Sequence, residues 1–164
     1  MRAPLIAGNW KMYKTPAETT AFFQQFVPLV ATATCDVVVC PPFIDLAAAI
    51  QSASGSTVAI GGQNLYWERE GAFTGEVSGP MLKAAGCSAV IVGHSERRQY
   101  FGETDATVLQ RTRAALSAGL MPIVCVGEVL EEREAGRTED VLARQFEQGL
   151  AALDAVQFAQ LAIA

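Results

Sequence analysis

Short apolar runs recur along the chain and are separated by longer segments with mixed polarity. Each run is rich in valine and isoleucine, and its hydrophobic positions are nearly continuous rather than alternating. This pattern is typical of strands that are buried on both faces of a parallel sheet. The runs predict six strands, at Leu5–Trp10, Asp36–Cys40, Thr57–Gly61, Ala89–Gly93, Pro122–Gly127 and Leu161–Ala164.

The segments between the runs carry helix start and stop signals. Thr15-Pro16-Ala17-Glu18 is a capping box with proline at the first helical position. A second helix is expected to open at Thr104-Asp105 and to close at Gly119, and a third to begin near Thr138. A shorter helical turn is expected from Ser78 to Gly86. The alternation of strand and helix predicts one parallel α/β domain over residues 1–164, with right-handed crossovers.

One segment lacks this regular alternation. Residues 62–79 read GQNLYWEREGAFTGEVSG and show neither strand nor helix periodicity. Loops of this length in compact domains are usually functional or bind partners. Trp67 and Phe73 would be poorly solvated on an isolated loop, so the segment is predicted to form a protein–protein contact.

Composition and charge narrow the possible functions. The 164 residues are 51% hydrophobic and 18% charged, which excludes a disordered chain. A net charge of −5 argues against non-specific nucleic-acid binding. No apolar run approaches the length of a membrane helix, and no signal-peptide core is visible, so a cytoplasmic protein is expected. The four cysteines form no CxxC pair, which favours buried thiols over a zinc or disulfide framework: Cys35, Cys40, Cys87 and Cys125.

Candidate chemistry lies where the predicted strands end, because parallel α/β folds gather their reactive groups at the carboxyl ends of strands. Polar residues follow four of the runs, namely Asn9 and Lys11, Gln63 and Asn64, His94 with Ser95 and Glu96, and Glu128. Each has an ordinary structural alternative. A single histidine is more often structural than catalytic, an isolated lysine is usually a solvated surface residue, and Glu96 with the two following arginines could be a charged first turn.

Taken together, five segments are far more specific than any one residue. They are GNWKM at 8–12, CPPF at 40–43, GAFTGEVS at 71–78, VGHSERR at 92–98 and CVGE at 125–128. In order and spacing they resemble the triosephosphate isomerase family over the whole chain. The resemblance implies an α/β fold, a (β/α)8 barrel that is here partial and open, with about six parallel strands and five to six helices. It implies interconversion of dihydroxyacetone phosphate and glyceraldehyde 3-phosphate in glycolysis and gluconeogenesis, by a homodimer or larger homo-oligomer that uses no cofactor and no metal.

The resemblance also assigns roles to residues of this chain. Lys11, with Asn9 beside it, is similar to the cation that steadies the substrate's negative charge, and His94 to the electrophile that polarises the carbonyl. Ser95 and Glu96 match supporting positions, and Glu96 is placed to pair with Lys11. The oligomer interface is expected to use the loop at residues 62–79, through Trp67, Phe73, Thr74 and Glu76.

The family's general base, its mobile lid and its phosphate-binding loops have no counterpart in the 164 residues. A complete barrel of this kind needs about 250 residues. The chain alone is therefore expected to have negligible isomerase activity, and its first and last strands to expose unpaired edges. The alternative is a non-catalytic partial barrel that persists by self-association. A different phosphate-binding barrel enzyme is disfavoured, because a shared fold would not preserve VGHSERR.

Overall fold

A six-stranded parallel sheet forms the centre of the molecule. In the computed structural model, which describes residues 3–164, the strands follow chain order from β1 to β6 and curl into a half-barrel. The register pairs Ile6 with Val37 and Val92 with Val124. Each predicted run overlaps one observed strand, and the parallel α/β prediction is confirmed. The strands are β1 Leu5–Asn9, β2 Asp36–Cys40, β3 Val58–Gly62, β4 Ala89–Val92, β5 Met121–Val124 and β6 Ala162–Ile163.

Eight α-helices lie in the described part of the chain, more than the five to six expected. The additional ones are short and carry no long apolar stripe that a sequence pattern could reveal. The capping box predicted for α1 is present, since Glu18 accepts hydrogen bonds from the Thr15 amide at 2.9 Å and from its hydroxyl at 2.8 Å. The helices are α1 Pro16–Val30, α2 Leu46–Ala53, α3 Gly79–Ala85, α4 Ser95–Tyr100, α5 Asp105–Ser117, α6 Leu130–Glu134, α7 Thr138–Gly149 and α8 Ala155–Phe158, with a 3-10 helix at Phe43–Asp45.

Two apolar clusters bury the two faces of the sheet. The larger one contains both helix and strand side chains, such as Phe23, Leu82 and Val90, and therefore lies between the sheet and its helices. The smaller cluster contains only strand residues, among them Cys40 and Ile91, and lies on the concave face. Burial of both faces explains why the runs are continuous in hydrophobicity.

The cysteines are free thiols, as the composition suggested. Cys40 and Cys87 are buried, whereas Cys125 is only half-buried. Burial raises the pKa of the Cys40 thiol to about 12 and that of Cys87 to about 11. Both therefore remain protonated at neutral pH and behave as small apolar side chains.

The first and last strands are the open edges of this sheet. Strand β1 pairs only with β2, and β6 only with β5. Ile6 on β1 is 59% exposed and Ile163 on β6 is 47% exposed, in contrast to the buried inner strands. Leu29 of α1 and Phe146 of α7 are also exposed apolar side chains. Within residues 3–164, none of the helices combines the length and the apolar character needed to cross a membrane.

Candidate active site

Polar side chains from three strand ends line one cavity of about 550 Å³. Because β1, β3 and β4 are parallel, the residues that follow them meet at the same mouth of the half-barrel. The cavity brings together the residues that sequence reasoning placed at those ends, which are Asn9, Lys11, Gln63, Asn64, His94 and Glu96.

The backbone of Lys11 adopts an unusual conformation that neighbouring side chains hold in place. Its φ is +54°, in the left-handed region that non-glycine residues seldom occupy. The Asn9 side-chain oxygen accepts a hydrogen bond from the Lys11 amide at 2.9 Å. The Gln63 side-chain amide donates through Nε2 to the Lys11 carbonyl at 2.8 Å and to the Cys40 carbonyl at 2.9 Å. These contacts fix the direction in which the lysine leaves the strand end and stabilise the strained turn.

The Lys11 ammonium forms an ion pair with Glu96, and its Nζ lies 2.9 Å from Oε1. Both side chains are partly exposed, at 49% and 40%. The hydrogen bond that Lys11 donates to Glu96, followed by the charge of that carboxylate, raises the pKa of Lys11 above the ordinary value of 10.5. Lys11 is therefore a cation throughout the neutral range, with its ammonium held at the cavity.

His94 caps the N-terminus of α4 through its own ring. Its Nδ1 accepts a hydrogen bond from the Glu96 amide at 3.2 Å. A nitrogen that accepts an N–H bond carries no proton, so the proton of the neutral imidazole is on Nε2. The Glu96 carboxylate lies 3.5 Å from the same Nδ1, and with that nitrogen unprotonated the contact is not an ion pair. Nε2–H is thus the donor that the ring can offer to a ligand.

Ser95 and Glu128 line a neighbouring cavity of about 430 Å³ instead. Arg133 donates to the Glu128 carboxylate at 2.9 Å, and the Thr138 hydroxyl does so at 3.3 Å. Hydrogen bonding by its own backbone amide, together with these two partners, lowers the pKa of Glu128. Glu128 is therefore an ionised carboxylate with partners of its own, outside the cavity that holds Lys11 and His94.

The loop at residues 62–79 folds back on itself. The Tyr66 amide donates to the Val77 carbonyl at 2.8 Å, which closes the base of the loop. The Tyr66 ring lies 4.1 Å from the Trp67 ring and 4.6 Å from the Phe73 ring, between centroids. Thr74 and Glu76 are exposed near the tip. Trp67 is only half-buried and packs against its own chain, so the interface role of these residues stays a prediction.

A buried ionic cluster beneath this loop was not found from the sequence. Glu103 pairs with Arg97, and Arg111 Nε lies 3.4 Å from the same Glu103 oxygen. Nothing in the local pattern marks these residues, because ionic side chains normally face solvent. An apolar rim also escaped notice: the exposed side chains of Met12, Tyr13, Phe43, Ile44, Tyr100 and Phe101 surround or adjoin the Lys11 and His94 cavity.

Over the described residues, no group of three or more histidine, cysteine, aspartate or glutamate side chains is arranged to hold a metal ion. The absence of a cofactor stays an expectation. Fold and cavity together define a partial (β/α) barrel with a cation and an imidazole donor at its carboxyl-end mouth.

Comparisons with known proteins agree with this class. The family model of triosephosphate isomerase matches residues 4–164. The triosephosphate isomerase of Solibacter usitatus is 64% identical over all of this chain, and that of Moorella thermoacetica is 56% identical. The chain covers 66% of the length of each. The crystal structure of the Bartonella henselae triosephosphate isomerase superposes with a TM-score of 0.91 at 38% identity, covering 98% of this chain and 66% of that one.

The chain therefore belongs to the triosephosphate isomerase family, and it spans just under two thirds of the length of these relatives. The expected partial (β/α)8 barrel is confirmed.

Proposed function

We propose that this chain provides the substrate-binding and electrophilic half of a triosephosphate isomerase site, which interconverts dihydroxyacetone phosphate and glyceraldehyde 3-phosphate. The observation that carries the proposal is the convergence of the Lys11 ammonium and the His94 imidazole on one cavity. An ammonium and a neutral N–H donor are suited to an anionic substrate whose carbonyl oxygen gains negative charge during reaction.

The chemistry assigns each residue a step. A base removes the proton from the carbon next to the carbonyl, and the electron pair moves to the carbonyl oxygen to form an enediolate. His94 Nε2–H donates a hydrogen bond to that oxygen and stabilises its charge. Lys11 adds a fixed positive charge, and Asn9 holds the Lys11 amide in place at 2.9 Å.

No residue of the described cavity is free to act as the base. Glu96 is the carboxylate among its lining residues, and it is engaged with Lys11 at 2.9 Å. General-base catalysis contributes roughly 10²–10⁴-fold in rate. We accordingly propose that the 164-residue polypeptide, taken alone, has negligible isomerase turnover.

A chimera tests this assignment. Residues 1–164 would be joined to the part of the Solibacter usitatus isomerase that lies beyond the match with this chain. The chimera is expected to turn over glyceraldehyde 3-phosphate, because it unites both halves of the site. An inactive but folded chimera would contradict the proposal that Lys11 and His94 are set for this chemistry.

A second proposal is that two copies associate through the loop at residues 62–79. The apolar rim supports it, since Met12 is 93% exposed and both Ile44 and Tyr100 exceed 70%. Exposed apolar side chains clustered in this way mark interaction sites. The loop has an aromatic base, in which Tyr66 packs on Phe73, and an exposed tip at Thr74, and in this proposal the tip contacts the apolar rim of the second copy.

Replacing Thr74 by Arg should weaken this association, because a bulky cation would be buried at the tip contact. We expect sedimentation velocity to show dimer for the original chain and mainly monomer for T74R at micromolar concentration. Ser54→Arg is the matched control, since Ser54 is exposed beyond the end of α2. An unchanged mass for T74R would instead assign the contact to the open edges of β1 and β6.

A further inference from the structure

We propose that Arg111 is the positioning residue of the loop at residues 62–79, holding that loop in one conformation and tying it to the Lys11 and His94 cavity. We call this hold on the loop the Arg111 clamp, and it is made within one chain. Any effect of the clamp on association rests on the dimer proposed above. Arg111 lies on α5, far from the loop in sequence, and only 6% of it is exposed.

The guanidinium holds the start of the loop through its donors. Arg111 Nη1 donates to the Asn64 side-chain oxygen at 3.0 Å and to the Leu65 carbonyl. Both acceptors lie within three residues of the end of β3 at Gly62. One nitrogen of this side chain therefore fixes the direction in which the loop leaves the sheet, which an apolar side chain without donors could not do.

The same group holds the aromatic part of the loop. The Arg111 guanidinium carbon lies 5.1 Å from the centre of the Trp67 ring and 5.9 Å from that of Tyr66. These separations permit cation–π attraction. Because Tyr66 also packs on Phe73, Arg111 is connected through these rings to the residue next to the exposed tip at Thr74.

Arg111 is joined to the cavity as well as to the loop. Glu103 pairs with both Arg111 and Arg97, and Arg97 and Asn64 line the cavity that contains Lys11 and His94. Burial lowers the pKa of Arg111, and the charge of Glu103 opposes that effect. An ionic group buried this deeply costs desolvation free energy, which apolar packing at the same place would not.

Trp67 fluorescence tests the clamp directly. The chain has two tryptophans, so Trp10→Phe leaves Trp67 as the single reporter. In that background, Arg111→Met should shift the emission to longer wavelength and raise the acrylamide quenching constant about twofold, because local order around the ring is lost. Arg113→Met is the matched control: Arg113 lies two residues away on α5, is exposed, and donates to the Ala152 carbonyl at 3.1 Å.

Far-UV circular dichroism shows whether each variant is folded, and only the fluorescence of a folded variant is interpreted. If Arg111→Met unfolds the chain, Arg111→Lys replaces it, since lysine keeps a charge beside Glu103 but lacks the planar guanidinium that lies near the Trp67 and Tyr66 rings. Greater Trp67 exposure in a folded Arg111 variant, with R113M unchanged, supports the inference. A folded Arg111 variant with unchanged Trp67 emission and quenching overturns it. A monomeric original chain whose Trp67 still depends on Arg111 would remove the dimer proposal and leave the clamp standing.

Discussion

Replacing His94 by Asn in the active chimera is expected to lower kcat about 10²–10³-fold, the usual effect of removing one preorganised donor from a developing oxyanion. Asparagine is a good helix N-cap, so α4 should still begin at Ser95. Its shorter side chain withdraws the donor that the imidazole presents at Nε2. Substrate binding should change much less than kcat, because the hydrogen bond strengthens mainly in the transition state.

The thermal unfolding midpoint of the His94→Asn chimera is the control, and it should match that of the parent. Steady-state turnover of glyceraldehyde 3-phosphate is the measurement. A rise in KM with an unchanged kcat would show that His94 only helps to hold the substrate. Loss of less than a factor of ten in kcat would remove His94 from the electrophile's role.

Replacing Lys11 by Met is expected to reduce kcat/KM by about 10²-fold or more, because a preorganised charge is lost from the cavity. The Glu96 carboxylate, now without its partner at 2.9 Å, would in addition repel an anionic substrate. The double variant Lys11→Met with Glu96→Gln removes that repulsion. It should therefore recover part of the loss, chiefly through a lower KM.

The pKa of Lys11 makes this assignment testable by pH as well. Its folded-state pKa is raised, so the cation persists until the pH rises through a value above 10.5. Activity lost between pH 8 and pH 10 thus cannot arise from Lys11, and the Lys11→Met chimera should show the same loss in relative terms.

If the double variant Lys11→Met with Glu96→Gln is no more active than Lys11→Met alone, Glu96 is not the source of the repulsion.

Sequence reasoning located the strands and the main helix ends for clear physical reasons. Strands buried on both faces must be apolar throughout. The capping box from Thr15 to Glu18 marks the start of α1, because its hydrogen bonds form between residues close in sequence. The parallel sheet then places Asn9, Lys11 and His94 at one mouth, because strand ends meet there. The short helix α6 has five residues, too few for a periodic pattern to appear.

Other features depend on contacts between distant residues. The left-handed backbone of Lys11 is held by Gln63, more than 50 positions away, and no local signal foretells it. Charged side chains such as Arg111 and Glu103 are ordinarily solvated, and only the packing of distant segments makes these two a buried cluster. Glu128 pairs with Arg133 and lines a separate cavity, and its position after a strand does not reveal that pairing.

We propose that the chain supplies donors that stabilise an enediolate but no base that forms the enediolate. The most direct measurement is hydrogen exchange from dihydroxyacetone phosphate in D₂O, followed by proton NMR with the 164-residue polypeptide alone. We expect no exchange at the carbon next to the carbonyl above the rate in buffer. Exchange that depends on the protein and disappears in Glu128→Gln would contradict it, because Glu128 would then be acting as the base.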